Sequence, residues 1–178
     1  KLVNIVRKDE HVELLKSQGA THVVNSSAPT YMADLRAAIA ETGAFLGFDP
    51  IGGGTASDSV LKAMEQVAAS QMGEFSRYGS NQQKKMYIYG RLDLSNTILT
   101  PSYGLQWSIA GWLLTPFLQR AGMETVGRMR WRVQANLTTT FASHYKAKVS
   151  LEGMLEKDAI CDYRQMKTGE KYLVTPWA

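Results

Sequence analysis

The chain has 178 residues, 44% of them hydrophobic and 20% charged, the proportions of an ordinary globular protein, which excludes a disordered tract, a collagen and a disulfide scaffold. Its 20 Lys and Arg against 16 Asp and Glu leave a net charge of +4 with the two signs interleaved, too mild to point to nucleic acid. A unit of this length buries roughly 70% of the surface its unfolded chain exposes, enough for one core without staples.

The single cysteine, Cys161, has no partner for an internal disulfide or a Cys-x-x-Cys site, which fits a reducing, cytoplasmic compartment. The chain opens at Lys1 without a signal peptide, on residues that already read as a structural element, so a piece of a longer protein is expected.

In chain order, Lys1 to Val6 (KLVNIV) predicts a strand. Asp9 to Gln18 predicts a helix with Val12, Leu14 and Leu15 apolar, closed by Gly19. The pattern repeats with a strand at Thr21 to Asn25 and a helix at Tyr31 to Thr42, which carries Met32, Leu35 and Ile39 on one face and ends at Gly43. A third strand, Ala44 to Asp49, precedes a helix at Ser57 to Ala68 with Val60, Leu61, Met64, Val67 and Ala68 in helical spacing, and a fourth strand runs from Met86 to Tyr89. Strands alternating with helices of this length mean βαβ crossovers, hence an α/β fold with a doubly wound parallel sheet. The polar connection Ser70 to Lys85 is long for such a unit and reads either as a mobile surface insertion or as a loop with a role.

The second half changes character. Leu105 to Leu118 (LQWSIAGWLLTPFL) is strongly apolar but far short of the roughly 20 residues that span a bilayer. It reads as a buried helix broken near Pro116, or as a subunit interface anchored by Trp112 or Phe117. Met123 to Leu137 predicts a helix with Val126, Met129, Val133 and Leu137 inward and Arg128, Arg130 and Arg132 in solvent. Thr138 to Ser143 predicts a strand, Leu151 to Lys167 a helix, and Glu170 to Val174 a last strand.

Ligands of an open parallel sheet bind beyond the carboxyl ends of its strands. The residues there are Arg7 and Lys8; Asn25 and Ser26; Asp49 to Gly54; and Tyr89 to Leu92. The run Gly52-Gly53-Gly54 either lets backbone approach a ligand or makes a tight turn. The chain has no G-x-G-x-x-G and no Gly-Lys-Ser/Thr phosphate loop. In a dinucleotide fold the glycine fingerprint lies between the first strand and helix, and the ribose position follows about 20 residues later, at the end of the second strand. Lys1 to Val6 would be that second strand, with the fingerprint upstream of Lys1.

The segment KLVNIVRKDEHVELLKSQGATHVVNSS, the strand ends FDPIGG and YIYG, and the tail SLEGMLEKDAICDYRQMKTGEKYLVTP together resemble the medium-chain dehydrogenases/reductases. Within them the likeness is to the zinc-free quinone oxidoreductase branch, often labelled zinc-binding alcohol dehydrogenase. The resemblance implies a Rossmann-like domain over residues 1–142, lacking its first strand and glycine loop, and a segment, residues 143–178, returning to a catalytic domain outside this chain. It implies NAD(P)H-dependent hydride transfer to a quinone or an activated alkene or carbonyl, a small-molecule substrate, a homodimer, and no membrane or nucleic-acid partner.

By the same resemblance the position that binds the NAD ribose falls on Val6, followed by Arg7. A 2′-phosphate needs positive donors, so Arg7 with Lys8 favours NADPH. The alternative makes Arg7 an ordinary solvated residue before a helix capped by Asp9. The expected cofactor contacts are Arg7, Lys8, Asn25, Asp49, Ile51, Gly52, Tyr89, Gly90 and Leu92, with Asp49 lining the cofactor edge and Tyr89 packing rather than reacting. No catalytic residue is nominated, since such an enzyme mainly positions donor and acceptor. Zinc has no support in the scattered Cys161, His11, His22 and His144, because a catalytic zinc needs three protein ligands. Two other readings compete. A methyltransferase-like domain would want an acidic residue where Val6-Arg7 stands, and a non-catalytic module would associate through Leu105 to Leu118.

Overall fold

Strand β1 (Val3–Val6) feeds helix α1 (Asp9–Ser17), strand β2 (His22–Asn25), helix α2 (Tyr31–Thr42), strand β3 (Leu46–Asp49), helix α3 (Ala56–Ser70) and strands β4 (Lys84–Ile88) and β5 (Trp107–Gly111). This computed structural model describes residues 1–142, 144–165 and 171–177, and the chain divides into two compact units, Lys1–Leu114 and Thr115–Ala178. The boundary expected between residues 142 and 143 falls inside the second unit.

The helices stop where the sequence breaks their backbone. Gly19 and Gly43 take φ of 93° and 68°, the left-handed region open to glycine at no steric cost. All strand pairs of the first unit are parallel: β1 with β2, in register Val3↔His22 to Val6↔Asn25, and β3 with β4 and β4 with β5, in register Gly47↔Met86↔Ile109. Helices α2 and α3 pack side by side, and Leu35, Ala38 and Ile39 of α2 share one core with Val60, Leu61, Met64 and Val67 of α3, Val24, Met86 and Tyr103. Each such aliphatic side chain, fully buried, contributes about 1.5–3 kcal/mol. The absence of a side chain at Gly47 inside β3 makes room for Met86, whose sulfur lies 2.4 Å from where a Cβ would stand.

The opposite face of β3 carries Leu46 and Phe48, both about half exposed. Phe48 stacks on Tyr87 at 5.6 Å and meets Trp112 edge-on at 6.4 Å, so that an aromatic cluster covers part of this face.

Four expectations give way in the second half. Leu105 to Leu118 is not one helix: β5 takes its first part and α4 (Leu114–Ala121) its last, with Pro116 in the first turn, where no intrahelical N–H is needed. It is not buried either, since Leu105, Leu113 and Leu114 are 57%, 66% and 49% exposed. In α5 (Met123–Ala135) only Val126 is buried, and Val133 and Leu137 face solvent. Residues 138–142 form turns in place of a strand, with Phe141 N–H donating to the Asn136 carbonyl and Ala142 N–H to that of Thr139. Among the described residues, which do not include Ser143, no strand lies alongside to reward the β-branched threonines.

Over 151–165 the expected helix is a 3-10 turn, Gly153–Leu155, and a short α6 (Lys157–Tyr163), interrupted by extended backbone at Glu156; residues 166 and 167 lie outside the described residues. Strand β6 (Ala147–Val149), which the sequence pattern did not mark, pairs in parallel with β7 (Tyr172–Val174). Lys146 and the Tyr172 hydroxyl both donate to Asp162, each at 2.8 Å. Among the described residues no helix is long and apolar enough to cross a membrane.

Helix α3 turns two carboxylates onto its core face, seven residues apart. Asp58 accepts from Thr100 N–H and hydroxyl at 2.9 and 2.7 Å and from the buried Tyr103 hydroxyl, and pairs with Lys62 at 2.9 Å. Glu65 accepts from Ser80 N–H and hydroxyl at 2.7 and 2.6 Å and pairs at 2.7 Å with Lys84, which is wholly buried. The long connection before β4 is thus fastened at Ser80, although Phe75 and Tyr78 at its tip stand in solvent.

Burial opposes ionisation of Asp58 and Glu65, but these donors outweigh it and hold both carboxyls below their ordinary range. Burial together with the bond to Asp58 pushes Tyr103 up to about 12. A carboxyl lowered on folding contributes stability that is complete above its unfolded value, about pH 4 to 4.5, and lost as pH falls through its folded one. Glu65→Gln should therefore flatten the acid limb of the stability curve below about pH 4.5. Glu65→Ala, which leaves Lys84 buried and unpaired, should cost about 3–5 kcal/mol at neutral pH. Urea unfolding across pH measures both, and a loss below about 1 kcal/mol would mean that Lys84 reaches water.

Candidate functional site

The residues expected at the carboxyl strand ends gather into two groups. The first stands where β1 and β2 end. Backbone leaves β1 at Val6, Lys8 is the N-cap of α1 in an extended conformation, and α1 starts at Asp9. Lys8 Nζ pairs with Glu10 at 2.8 Å. The half-buried Asn25 at the end of β2 donates from Nδ2 to Asp9 Oδ1 at 2.7 Å, while its Oδ1 accepts the Ser27 N–H at 2.8 Å. Asp9 is therefore not the side-chain cap of α1; its carboxylate reaches across to β2. Arg7 is exposed and makes no hydrogen bond or ion pair among the described residues.

The second group stands where β3 and β4 end. Asp49, nearly buried, spends its carboxylate locally: Oδ1 accepts Ile51 and Gly52 N–H at 2.7 and 3.2 Å, and Oδ2 accepts the Ser57 hydroxyl at 2.6 Å. The side chain expected to line a cofactor edge folds the turn that enters α3. The glycine run then packs against the segment after β4. Leu92 N–H donates to the Pro50 carbonyl at 3.3 Å, Asp93 N–H to that of Ile51 at 3.0 Å, and Gly54 N–H to that of Asn96 at 3.0 Å. The Thr97 hydroxyl donates to the Gly52 carbonyl.

A Cβ on Gly52 would lie 2.7 Å from the Gly90 carbonyl, and one on Gly90 would lie 2.5 Å from that of Pro50. The glycine run makes a tight turn, with Gly52 and Gly54 at positive φ, and what approaches it closely is the 90–97 segment of the chain itself. Ile51, Tyr89 and Leu92 keep exposed side chains on this rim, at 37%, 45% and 64%.

Sequence reasoning missed the carboxylates that fasten these loops. Their signal was legible, since Asp58 and Glu65 share the spacing of Leu61 and Ala68 on the apolar face of α3. His11 stands 3.8 Å from Glu10 and His22 3.8 Å from Glu41, and among the described residues no three His, Cys, Asp or Glu form a group able to hold a metal ion.

No protein-family profile matches this chain and no curated protein matches it by sequence. Solved structures do. A protein assigned as an NADPH:quinone reductase from Mesorhizobium loti is 24% identical with a TM-score of 0.69, over 98% of this chain and 45% of that one. A mutant enoyl thioester reductase from Candida tropicalis is 18% identical with a TM-score of 0.62, over 97% of this chain and 46% of that one. A mutant of Etr1p in complex with NADP and crotonyl-CoA is 18% identical with a TM-score of 0.60, over 96% of this chain and 46% of that one. The likeness shows the fold, the Rossmann-like doubly wound α/β architecture, and the chain spans less than half the length of the structures it matches.

Gly52→Ala tests whether the rim is as tightly built as these contacts imply. The positive φ alone should cost about 1–2 kcal/mol, with a further loss from displacing Gly90. Gly73→Ala, with nothing within 4 Å of its added carbon, should be nearly silent. Thermal unfolding of the two variants makes the comparison, and equal melting temperatures would refute the tight packing.

Proposed function

We propose that this chain is the dinucleotide-binding part of an NADPH-dependent oxidoreductase of the quinone-reductase type, which reduces a quinone or an activated alkene or carbonyl. The observation that carries the reading is Arg7, an exposed guanidinium without a partner among the described residues, on the loop that leaves the first strand of a doubly wound sheet. Ligands of such sheets bind at the carboxyl ends of the strands, and a guanidinium fork matches a phosphate. Sheet order lends support: among the described residues β1 pairs only with β2 and β3 only with β4, and a doubly wound sheet has one further strand between them.

In this reading Arg7, with Lys8 beside it, holds the 2′-phosphate and Asn25 closes that pocket. The rim of Ile51, Gly52, Tyr89, Gly90 and Leu92 lies along the cofactor, with Asp49 beneath it as the brace of the turn. The nicotinamide, when bound, supplies the hydride; this chain's residues bind, orient and keep the rim rigid. The exposed Leu105, Leu113 and Leu114 support association of the complete protein as a dimer.

Arg7→Ala in the complete protein should raise the NADPH dissociation constant about 10-fold to 100-fold and leave NADH nearly unchanged, at about 1.4 kcal/mol per factor of ten, because NADH lacks the phosphate. Lys8→Ala should do less, since that ammonium already pairs with Glu10. Titration of each cofactor decides it: equal losses for both would assign Arg7 to the fold or the pyrophosphate.

The 178 residues alone should oxidise no NADPH when offered a quinone, because hydride transfer needs donor and acceptor held about 3–3.5 Å apart, which requires both walls of a cleft. Quinone-dependent loss of NADPH absorbance with the isolated chain would overturn this.

A further inference from the structure

The four residues Arg7, Lys8, Asp9 and Glu10 put two cations and two carboxylates on consecutive positions at the mouth of the first site group. By charge count this is a poor place to receive an anion: the positive field of two basic residues is cancelled within one helical turn, and either carboxylate could pair with the nearest guanidinium. The structure resolves the conflict by assigning each carboxylate elsewhere. Glu10 takes Lys8 at 2.8 Å. Asp9 is drawn away from the loop by the Asn25 amide at 2.7 Å, and Arg7 remains without a partner among the described residues.

The amide is fixed in the sense this needs. Asn25 Oδ1 accepts the Ser27 N–H at 2.8 Å, so that oxygen faces the turn and the NH₂ group faces Asp9. An aspartate at this position could accept from Ser27 equally well but would repel Asp9 instead of holding it.

Resting on the NADPH reading above, we infer that Asn25 is a positioning residue for cofactor selectivity: it holds the Asp9 carboxylate against β2 so that Arg7 stays available to the 2′-phosphate. Asn25 acts through Asp9, with no bond of its own to the phosphate. Releasing Asp9 lets it swing back over the Arg7–Lys8 loop, where it competes with the phosphate for the guanidinium and repels the anion directly. NADH, with a neutral hydroxyl at that place, is indifferent to the same movement.

The test measures dissociation constants of NADPH and NADH by cofactor fluorescence on the complete protein. Asn25→Ala should weaken NADPH about 10-fold and leave NADH within about 2-fold. Adding Asp9→Asn to that variant should restore NADPH to within about 2-fold of the original, because the released side chain no longer carries charge. A merely structural Asn25 would weaken both cofactors together and gain nothing from the second substitution, and either of those results overturns the inference.

Should Asn25→Ala fail to fold, Asp9→Glu keeps the Asn25 turn intact while its longer side chain carries the carboxylate beyond the amide. It should weaken NADPH selectively by a similar factor, and no selective loss would count against the clamp. A protein that already binds NADPH no better than NADH before any substitution refutes the NADPH reading itself, a result distinct from a selective protein in which Asn25→Ala changes nothing.

Discussion

The ion pair between Glu65 and Lys84 is the constraint on which the first unit hangs. Lys84 is wholly buried and Glu65 nearly so, and taking two ions out of water costs several kcal/mol each. The cost is offset only because every charged atom is used: the ammonium also donates to the Ser80 hydroxyl at 2.9 Å and the Gln82 carbonyl at 2.6 Å, and the carboxylate takes both donors of Ser80. An apolar pair of equal volume could fill this space. It would leave the Ser80 N–H and hydroxyl without the carboxylate that now accepts both, and so would not fasten the long polar connection where it re-enters the sheet. The pair stands at Lys84, the first residue of β4, two residues before the Gly47↔Met86↔Ile109 row.

Helix α3 extends this logic along its length. Its first turn receives the β3 end through Ser57 and Asp49, Asp58 one residue later receives the segment around Thr100 and Tyr103, and Glu65 two turns on receives Ser80 and Lys84. One helix thus fastens loops on either side of the strands it covers, and its apolar residues Leu61 and Met64 fill the space between the carboxylates. Gly79 and Gly104 are glycine because a Cβ on either would lie 2.5 Å from a Glu65 oxygen; the network leaves no room for a side chain there.

The elements β1 to α3 were legible because each obeys one local rule without competition: apolar runs of four to six residues, helical spacing, and glycine at the stop. Legibility failed where two rules compete. WSIAGWLLTPF is apolar enough for a buried helix, yet its first part is drawn into a strand by the edge of β4, a partner that local spacing does not announce. The threonines 138–140 have the β propensity and lack the partner. In the candidate site, the place of Arg7 could be found by counting strands, and the structure leaves it exposed. The local bonds of Asp49 were not legible, because a carboxylate at a strand end looks the same in sequence whether it faces outward or its own next two amides.

The two site groups therefore differ in kind. Around Asp49 and Gly52 the chain's hydrogen bonds are made within the chain: the carboxylate is saturated, the glycines are covered by the 90–97 segment, and what remains outward is the apolar rim of Ile51, Tyr89 and Leu92. A surface of that composition can support a flat ring and hold its distance, but it offers little to discriminate one charged group from another. Around Arg7 the balance is reversed, with little packing, exposed side chains, and one charge kept apart from its neighbours by hydrogen bonds that engage the others. On the NADPH reading proposed above, rigidity and selectivity would be placed on different strand ends, so that a substitution at the β1 loop would alter which anion is preferred without disturbing the core beneath α3. The converse does not hold, since the rim stands on the turn whose carboxylate, Asp49, is tied to Ser57 in the first turn of α3.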